Sequence, residues 1–104
     1  MTQLKTWGGK EAEFEYSGSV KTGTVIRYGK HRVQETITAE EWEELLRKLR
    51  RLTVQLGISY RRATSGTVSD FLNRPGLIPY VSAILEAEGY IRRVPDRRGW
   101  VEFV

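Results

Sequence analysis

The sequence contains no cysteine and only one histidine among its 104 residues. Without cysteine there is no disulfide, no thiolate metal ligand and no cysteine nucleophile. Protein zinc sites use several nitrogen or sulfur ligands, so one histidine excludes their common forms. That residue, His31, stands between Lys30 and Arg32 in a predicted hairpin turn, where a solvated loop side chain is the usual role. We therefore expect no metal and no cofactor.

Long apolar runs are also missing. No stretch approaches the roughly 20 residues that a membrane-spanning helix needs. Residues 1–7 lack the apolar core of a signal peptide. These absences predict a cytoplasmic protein, and the length predicts a single domain over residues 1–104.

Groups suited to acid–base catalysis are scarce. Asp96 after Pro95, with Glu102 further on, superficially resembles the paired carboxylates of restriction-type nucleases, but Val104 stands where their lysine is expected. Asp after Pro is also a favoured turn pair in its own right. The glycines match neither a P-loop nor a dinucleotide-binding motif. The sequence therefore predicts a protein that is not an enzyme.

The charge that is present has a distinct distribution. The chain carries a net charge of +4, and all seven basic residues between positions 53 and 104 are arginines. The planar guanidinium fork suits phosphates and guanine edges, whereas lysine acts as a point charge. A positive net charge mildly favours anionic partners.

The first part of the chain has the pattern of an antiparallel β-meander. Glutamates and apolar residues alternate over residues 11–16, which predicts a half-buried strand with an acidic outer face. A turn is expected at 17–19, and strands at 24–28 and 33–37 are expected to form a hairpin. Residues 1–10 are expected to lie loosely on the body.

One helix is signalled strongly after the meander. Thr38 and Glu41 have the spacing of a capping box. Apolar residues then recur at helical spacing and predict a core-facing stripe: Trp42, Leu45, Leu46, Leu49 and Leu52. Apolar and polar residues alternate over residues 53–58, which predicts a short strand.

The last third is expected to form two helices and a hairpin. A short helix over residues 68–72 is expected to end at residues 73–76, because Pro75 disfavours a helical conformation of Arg74 and Gly76 tolerates a left-handed turn. A second helix is expected from Leu77 to about Glu88, with Pro79 in its first turn, and Gly89 ends it. Strands at 90–94 and 100–104 then flank a basic turn.

Residues 39–104 thus read helix, strand, helix, helix, strand, strand. This order resembles a winged helix-turn-helix domain. The predicted fold class is α+β: an N-terminal antiparallel β-meander over residues 1–38, followed by a winged helix-like unit over residues 39–104. The resemblance implies that the second helix of the turn lies in the major groove of DNA and that the hairpin tip reaches the adjacent backbone or the minor groove.

Mapped onto this chain, the resemblance implies a nucleic-acid-binding surface in the loop, the second helix and the hairpin. Its residues would be Arg61, Arg62, Ser65, Thr67, Arg74, Tyr80, Ser82, Arg92, Arg93, Arg97 and Arg98. Residues 77–88 contain no lysine, arginine, asparagine or glutamine, the side chains that make most bidentate base contacts. Contact with the phosphate backbone is therefore expected rather than base reading.

The predicted function is non-catalytic DNA binding, as a transcriptional or mobile-element regulator. The alternative is a small protein-interaction or regulatory subunit, which could form a homodimer. Aromatic residues and arginine are enriched at binding hot spots, and the hairpin at 24–37 could pair through its edge with a second copy or a partner. Aromatic residues suited to such a surface are Trp7, Tyr28, Tyr80, Tyr90 and Trp100.

Overall fold

A computed structural model of the chain describes residues 1–7, 12–57, 67–72 and 74–104. Its elements, in chain order, are β1 (Thr2–Lys5), β2 (Glu13–Ser19), β3 (Gly23–Tyr28), β4 (Val33–Ile37), α1 (Ala39–Leu49), β5 (Thr53–Gln55), α2 (Val68–Leu72), α3 (Ile78–Ala87), β6 (Ile91–Arg93) and β7 (Trp100–Phe103). The fold is α+β, as predicted. Within the described ranges no helix is long and apolar enough to cross a membrane.

Strands β1 to β4 form one antiparallel sheet in chain order, which confirms the meander. Side chains alternate across a strand, so Phe14, Tyr16 and Ile26 share the buried face. Glu13 lies on the opposite face, as the alternation predicts. The hairpin between β3 and β4 also forms as expected, with Gly29 at φ +80° in its turn.

Two predictions about the meander are wrong. Residues 2–5, expected to be loose, pair with β2, and the Trp7 N–H donates to the Pro79 carbonyl at 3.2 Å. This order comes from partners distant in sequence, which a local pattern does not report. The turn expected at 17–19 occurs at 20–22, because Gly18 (φ +82°) remains in register opposite Thr24. Residues 8–11 lie outside the described part.

Helix α1 begins with the predicted capping box. The Glu41 N–H donates to Thr38 Oγ1 at 3.1 Å, and the Thr38 N–H donates to Glu41 Oε1 at 3.1 Å. Trp42 is fully buried, and its indole N–H donates to Thr24 Oγ1 at 3.0 Å, which joins α1 to β3.

The predicted apolar stripe of α1 is correct only in part. Leu45 and Leu49 are buried, whereas Leu46 is half-buried at the edge of the core. Leu52 follows the end of the helix and is 47% exposed. The helical period does not apply beyond Leu49, because the chain turns there and Arg51 adopts φ +62°.

A second sheet has the order β5-β7-β6, with antiparallel pairing throughout. The central strand is β7, which pairs Val101 with Val54 on one side and with Arg93 on the other. Strand β5 is shorter than predicted because Gly57 turns the chain at φ +71°. Ile58, the predicted end of the strand, lies outside the described residues.

The segment between α2 and α3 differs from the prediction. Residues Pro75–Leu77 form a 3-10 turn, and Gly76 does not use the left-handed conformation that glycine tolerates. The turn continues directly into α3, with Pro79 near its N-terminus and Gly89 (φ +85°) just after its end, as predicted.

One hydrophobic cluster includes residues from both sheets and all three of the described helices. A polar contact also joins the first sheet to the end of α3 through Glu88, which follows that helix. The Tyr16 hydroxyl donates to Glu88 Oε2 at 3.1 Å, and the Val20 N–H donates to Glu88 Oε1 at 3.0 Å. The meander and the C-terminal part therefore share both a core and a hydrogen-bonded carboxylate.

Candidate nucleic-acid interface

The turn between β6 and β7 is held by local backbone geometry. Asp96 and Gly99 both have positive φ, at 63° and 81°. The Trp100 N–H donates to the Arg97 carbonyl at 3.1 Å. Asp and Gly tolerate this left-handed region better than other residues, so the sequence itself selects the turn. We call β6, β7 and this turn the C-terminal hairpin.

Two arginines lie at the turn, next to Asp96. The Arg97 guanidinium lies 3.8 Å from the centroid of the Trp100 ring, in a cation–π contact. Arg98 is exposed, and neither arginine makes an ion pair within the described residues. Stacking on Trp100 restricts the Arg97 side chain while leaving its N–H groups able to meet an anion.

Arg92 and Arg93 point to opposite faces of the hairpin, because neighbouring residues in a strand alternate. Arg92 pairs with Glu102 at 2.6 Å. Arg93 pairs with Glu86 at 3.1 Å, and its guanidinium lies 4.0 Å from the centroid of the Trp7 ring. Exposed ion pairs contribute little to stability, so a phosphate could exchange for either carboxylate. The four hairpin arginines nevertheless do not share one face.

Arg74 holds the fold together instead of facing outward. Its guanidinium donates to the Thr36 carbonyl at 2.6 Å, to Glu35 at 2.9 Å and to Glu41 at 3.4 Å. These bonds join the segment before α3 to the outer strand β4 and to the first turn of α1. The prediction that Arg74 contacts DNA conflicts with this arrangement, because its donors already have acceptors.

The residues of helix α3 that were predicted to contact DNA do not form an exposed face. Ser82 is fully buried, and its hydroxyl donates to the Ile78 carbonyl at 2.7 Å. Tyr80 is half-buried: its ring stacks on Tyr28 with centroids 4.5 Å apart and meets the edge of Phe14 at 5.1 Å. The aromatic residues of the meander cover this side of the helix. The prediction that Ser82 contacts DNA is therefore wrong, and the ring of Tyr80 packs against other aromatic side chains of the protein.

Of the predicted phosphate-binding residues in the loop before α2, the structure describes only Thr67. Arg61, Arg62 and Ser65 lie outside the described residues. Thr67 is 3% exposed, and its side chain is so close to Gly57 that a methyl group there would lie 2.5 Å from Thr67 Oγ1. The Thr67 side chain thus faces the protein and is not placed to hold a phosphate.

Two pKa shifts concern groups outside the hairpin. Burial, followed by the hydrogen bond to Glu88, raises the pKa of Tyr16 above its ordinary value. The hydrogen bond and charge of Lys48 lower the pKa of Glu44, which lies on the exposed side of α1. In the described ranges no cluster of histidine, aspartate or glutamate could hold a metal ion.

Sequence reasoning missed the partners of the hairpin arginines. Arg92 faces Glu102 across the strands, a pairing that antiparallel alignment of the expected strands 90–94 and 100–104 would have indicated. The positions of Trp7 and Glu86 beside Arg93 depend on the packing of β1 against α3, which no local pattern signals. Comparison with protein-family models, with curated proteins and with solved structures gave no match for this chain.

Proposed function

We propose that this protein is a non-catalytic DNA-binding domain that contacts the phosphate backbone through Arg97 and Arg98. The observation that carries the proposal is the pair of exposed guanidinium groups at the end of the C-terminal hairpin, one of them held against Trp100. Asp96 is the one carboxylate in the turn itself, so the turn keeps a net positive charge. Arg92 and Arg93 would add phosphate contacts by exchanging their exposed carboxylate partners.

A winged helix-like arrangement of residues 39–104 is part of this proposal. In its favour, the elements α1, β5, α2, α3, β6 and β7 occur in the order on which the resemblance rests. The burial of α3 argues for a mode in which the hairpin, and not the helix, meets DNA. Such a domain would bind many sequences with similar affinity, because phosphate contacts carry no base information.

Fluorescence anisotropy with a mixed-sequence duplex tests the proposal. Binding should weaken by about tenfold or more between about 50 and 200 mM salt if several phosphates are neutralised. The double variant Arg97→Ala/Arg98→Ala should bind at least about tenfold more weakly and show a shallower salt dependence. Lys5→Ala/Lys30→Ala is the matched control, because it removes the same charge from exposed sites on the meander. A loss of about twofold or less in the arginine variant, or an equal loss in the control, would count against the hairpin.

A second candidate function is a protein-interaction module. It is favoured by an open groove beside α1 in which apolar side chains are surrounded by cations. Pairing through the edge of β4 has less support, because Arg74 already occupies the Thr36 carbonyl. An interface built on apolar anchors would be much less salt-sensitive than DNA binding, and the same titration therefore separates the two candidates.

A further inference from the structure

A groove of about 850 Å³ lies between α1, the turn that joins β2 to β3, and the end of the second sheet. The C-terminal hairpin turn with Arg97 and Arg98 does not line it. The wall on the α1 side runs from Ala39 to Arg50, the residue that follows the helix, a distance of about 16 Å at the usual helical rise. We call this feature the basic groove.

The residues that α1 gives to the basic groove follow helical spacing. Ala39, Glu43, Leu46 and Arg50 recur every three or four positions and form a stripe beside the core stripe of the same helix. Leu46, which the sequence pattern assigned to the core, therefore stands at the junction of core and groove.

The inner surface of the groove is apolar. Leu46 and Tyr90 are half-buried and pack against the hydrophobic cluster, and the buried Phe103 also lines the groove. Val104 is 63% exposed at one side of the groove. A large apolar side chain placed here would remove these surfaces from water, which is favourable in proportion to the area covered.

Cations surround this apolar surface. Lys21, Arg47 and Arg50 line the groove, all are exposed, and none makes an ion pair in the described ranges. Lys48, on the same helix but outside the groove, pairs with Glu44 at 3.0 Å. Glu43 is the one acidic side chain among the lining residues. The groove thus combines an apolar interior with a positive rim.

We propose that the basic groove binds an acidic amphipathic segment of a partner protein. The segment would place an apolar side chain against Leu46 and Tyr90, and its carboxylates would meet Arg47 and Arg50. The length of the α1 wall suits about eleven residues of a partner helix, so the occupant is elongated. A nucleic-acid backbone fits less well, because phosphates gain nothing from an apolar interior. This inference does not depend on DNA binding by the hairpin.

The probe is a fluorescein-labelled synthetic helical peptide of about 15 residues, with leucine and phenylalanine on one face and glutamates beside them. We expect saturable binding with a Kd of about 10–100 μM. A second peptide, in which serine replaces the leucines and phenylalanines, should bind at least about tenfold more weakly. Equal binding of the two peptides, or no saturation up to about 1 mM, would overturn the proposal.

The variant Arg47→Gln/Arg50→Gln should weaken binding of the first peptide by about tenfold. Lys5→Gln/Lys30→Gln removes the same charge outside the groove and should change the affinity by less than about twofold. Arg97→Ala/Arg98→Ala should leave peptide binding unchanged, since these residues do not line the groove. If the hairpin or the lysine variant weakens binding as much as the groove variant does, the assignment of the site is wrong.

The apolar contact between the peptide and the groove is tested with separate variants. Leu46→Ala should weaken the first peptide about fivefold, and thermal unfolding shows whether the variant remains folded. Val104→Ser, at a more exposed position, should weaken it in the same direction with little effect on stability. Unchanged affinity in both variants would refute the apolar contact. Displacement of the peptide by duplex DNA, abolished in Arg47→Gln/Arg50→Gln, would instead assign the groove to nucleic acid.

Discussion

Replacing Glu88 by alanine should destabilise the protein strongly, because its carboxylate joins the meander to the C-terminal part. It accepts hydrogen bonds from the Tyr16 hydroxyl at 3.1 Å and from the Val20 N–H at 3.0 Å. Tyr16 and Val20 are only 5% and 2% exposed. A hydrogen bond to a charged group contributes about 1.5–3 kcal/mol, and a buried donor without an acceptor costs about 1–3 kcal/mol. Glu88 is half-buried, so water would replace part of the loss. We expect a decrease of about 2–4 kcal/mol in the free energy of unfolding.

Urea denaturation followed by circular dichroism measures this loss. Glu88→Gln keeps one amide oxygen as an acceptor and should lose about half as much. Tyr16→Phe removes one donor and should cost about 1 kcal/mol. In a double-mutant cycle, Tyr16→Phe and Glu88→Ala should show a coupling energy of about 1 kcal/mol. A loss below about 0.5 kcal/mol in Glu88→Ala, or strict additivity in the cycle, would refute the role assigned to the carboxylate.

The same contact should also affect stability at alkaline pH. Burial and the Glu88 hydrogen bond raise the pKa of Tyr16 above the ordinary value of 10.0, so the folded protein holds the phenolic proton more tightly than the unfolded chain. The stabilisation from this difference is complete below the unfolded pKa and disappears as pH rises through the folded pKa. Tyr16→Phe should therefore lose less stability than the wild-type protein between about pH 9 and 12. Parallel curves for the two proteins would contradict this explanation.

Two further predictions concern a pair of glycines and an arginine. Gly18 and Gly29 both have positive φ (+82° and +80°), but a methyl group at Gly18 would run into the Gly23 carbonyl oxygen, whereas nothing lies within 4 Å at Gly29. Gly29→Ala should lower the free energy of unfolding by about 1–2 kcal/mol, and Gly18→Ala should lower it by about 1–3 kcal/mol more. Thermal unfolding measures the difference, and equal midpoints for the two variants would contradict the prediction. Arg74→Ala should lose about 1–3 kcal/mol in urea denaturation, and Arg74→Lys should recover less than half, because one ammonium does not reproduce the guanidinium fork. If Arg74→Ala instead weakened DNA binding without loss of stability, Arg74 would be a contact residue.

Elements specified by neighbouring residues could be predicted from the sequence. The capping box at Thr38 and Glu41 fixes the start of α1, and Pro79 and Gly89 mark the ends of α3. The β3–β4 hairpin follows from alternation on either side of Gly29. These signals act over a few residues, so a single chain displays them fully.

Features that depend on distant partners could not be predicted in the same way. Strand β1 has little pattern of its own and is ordered by pairing with β2. The exposure of α3 was misjudged because Phe14 and Tyr28, far away in sequence, cover Tyr80. Arg74 has the same charge as Arg98 in the sequence, and only the positions of Glu35 and Glu41 separate a structural side chain from an exposed one.

The central position of β7 has a consequence for how the chain acquires its structure. Neighbours in the first sheet are neighbours in the chain, so β1 to β4 can associate through successive short loop closures, which are fast. Among the residues that the structure describes, strand β5 pairs only with β7, and the chain between them includes α2, α3 and β6. During synthesis from the N-terminus, β5 therefore leaves the ribosome well before its partner exists. The second sheet should form in a later and slower kinetic phase than the meander. Val101, in the middle of β7, should therefore become ordered only in that later phase.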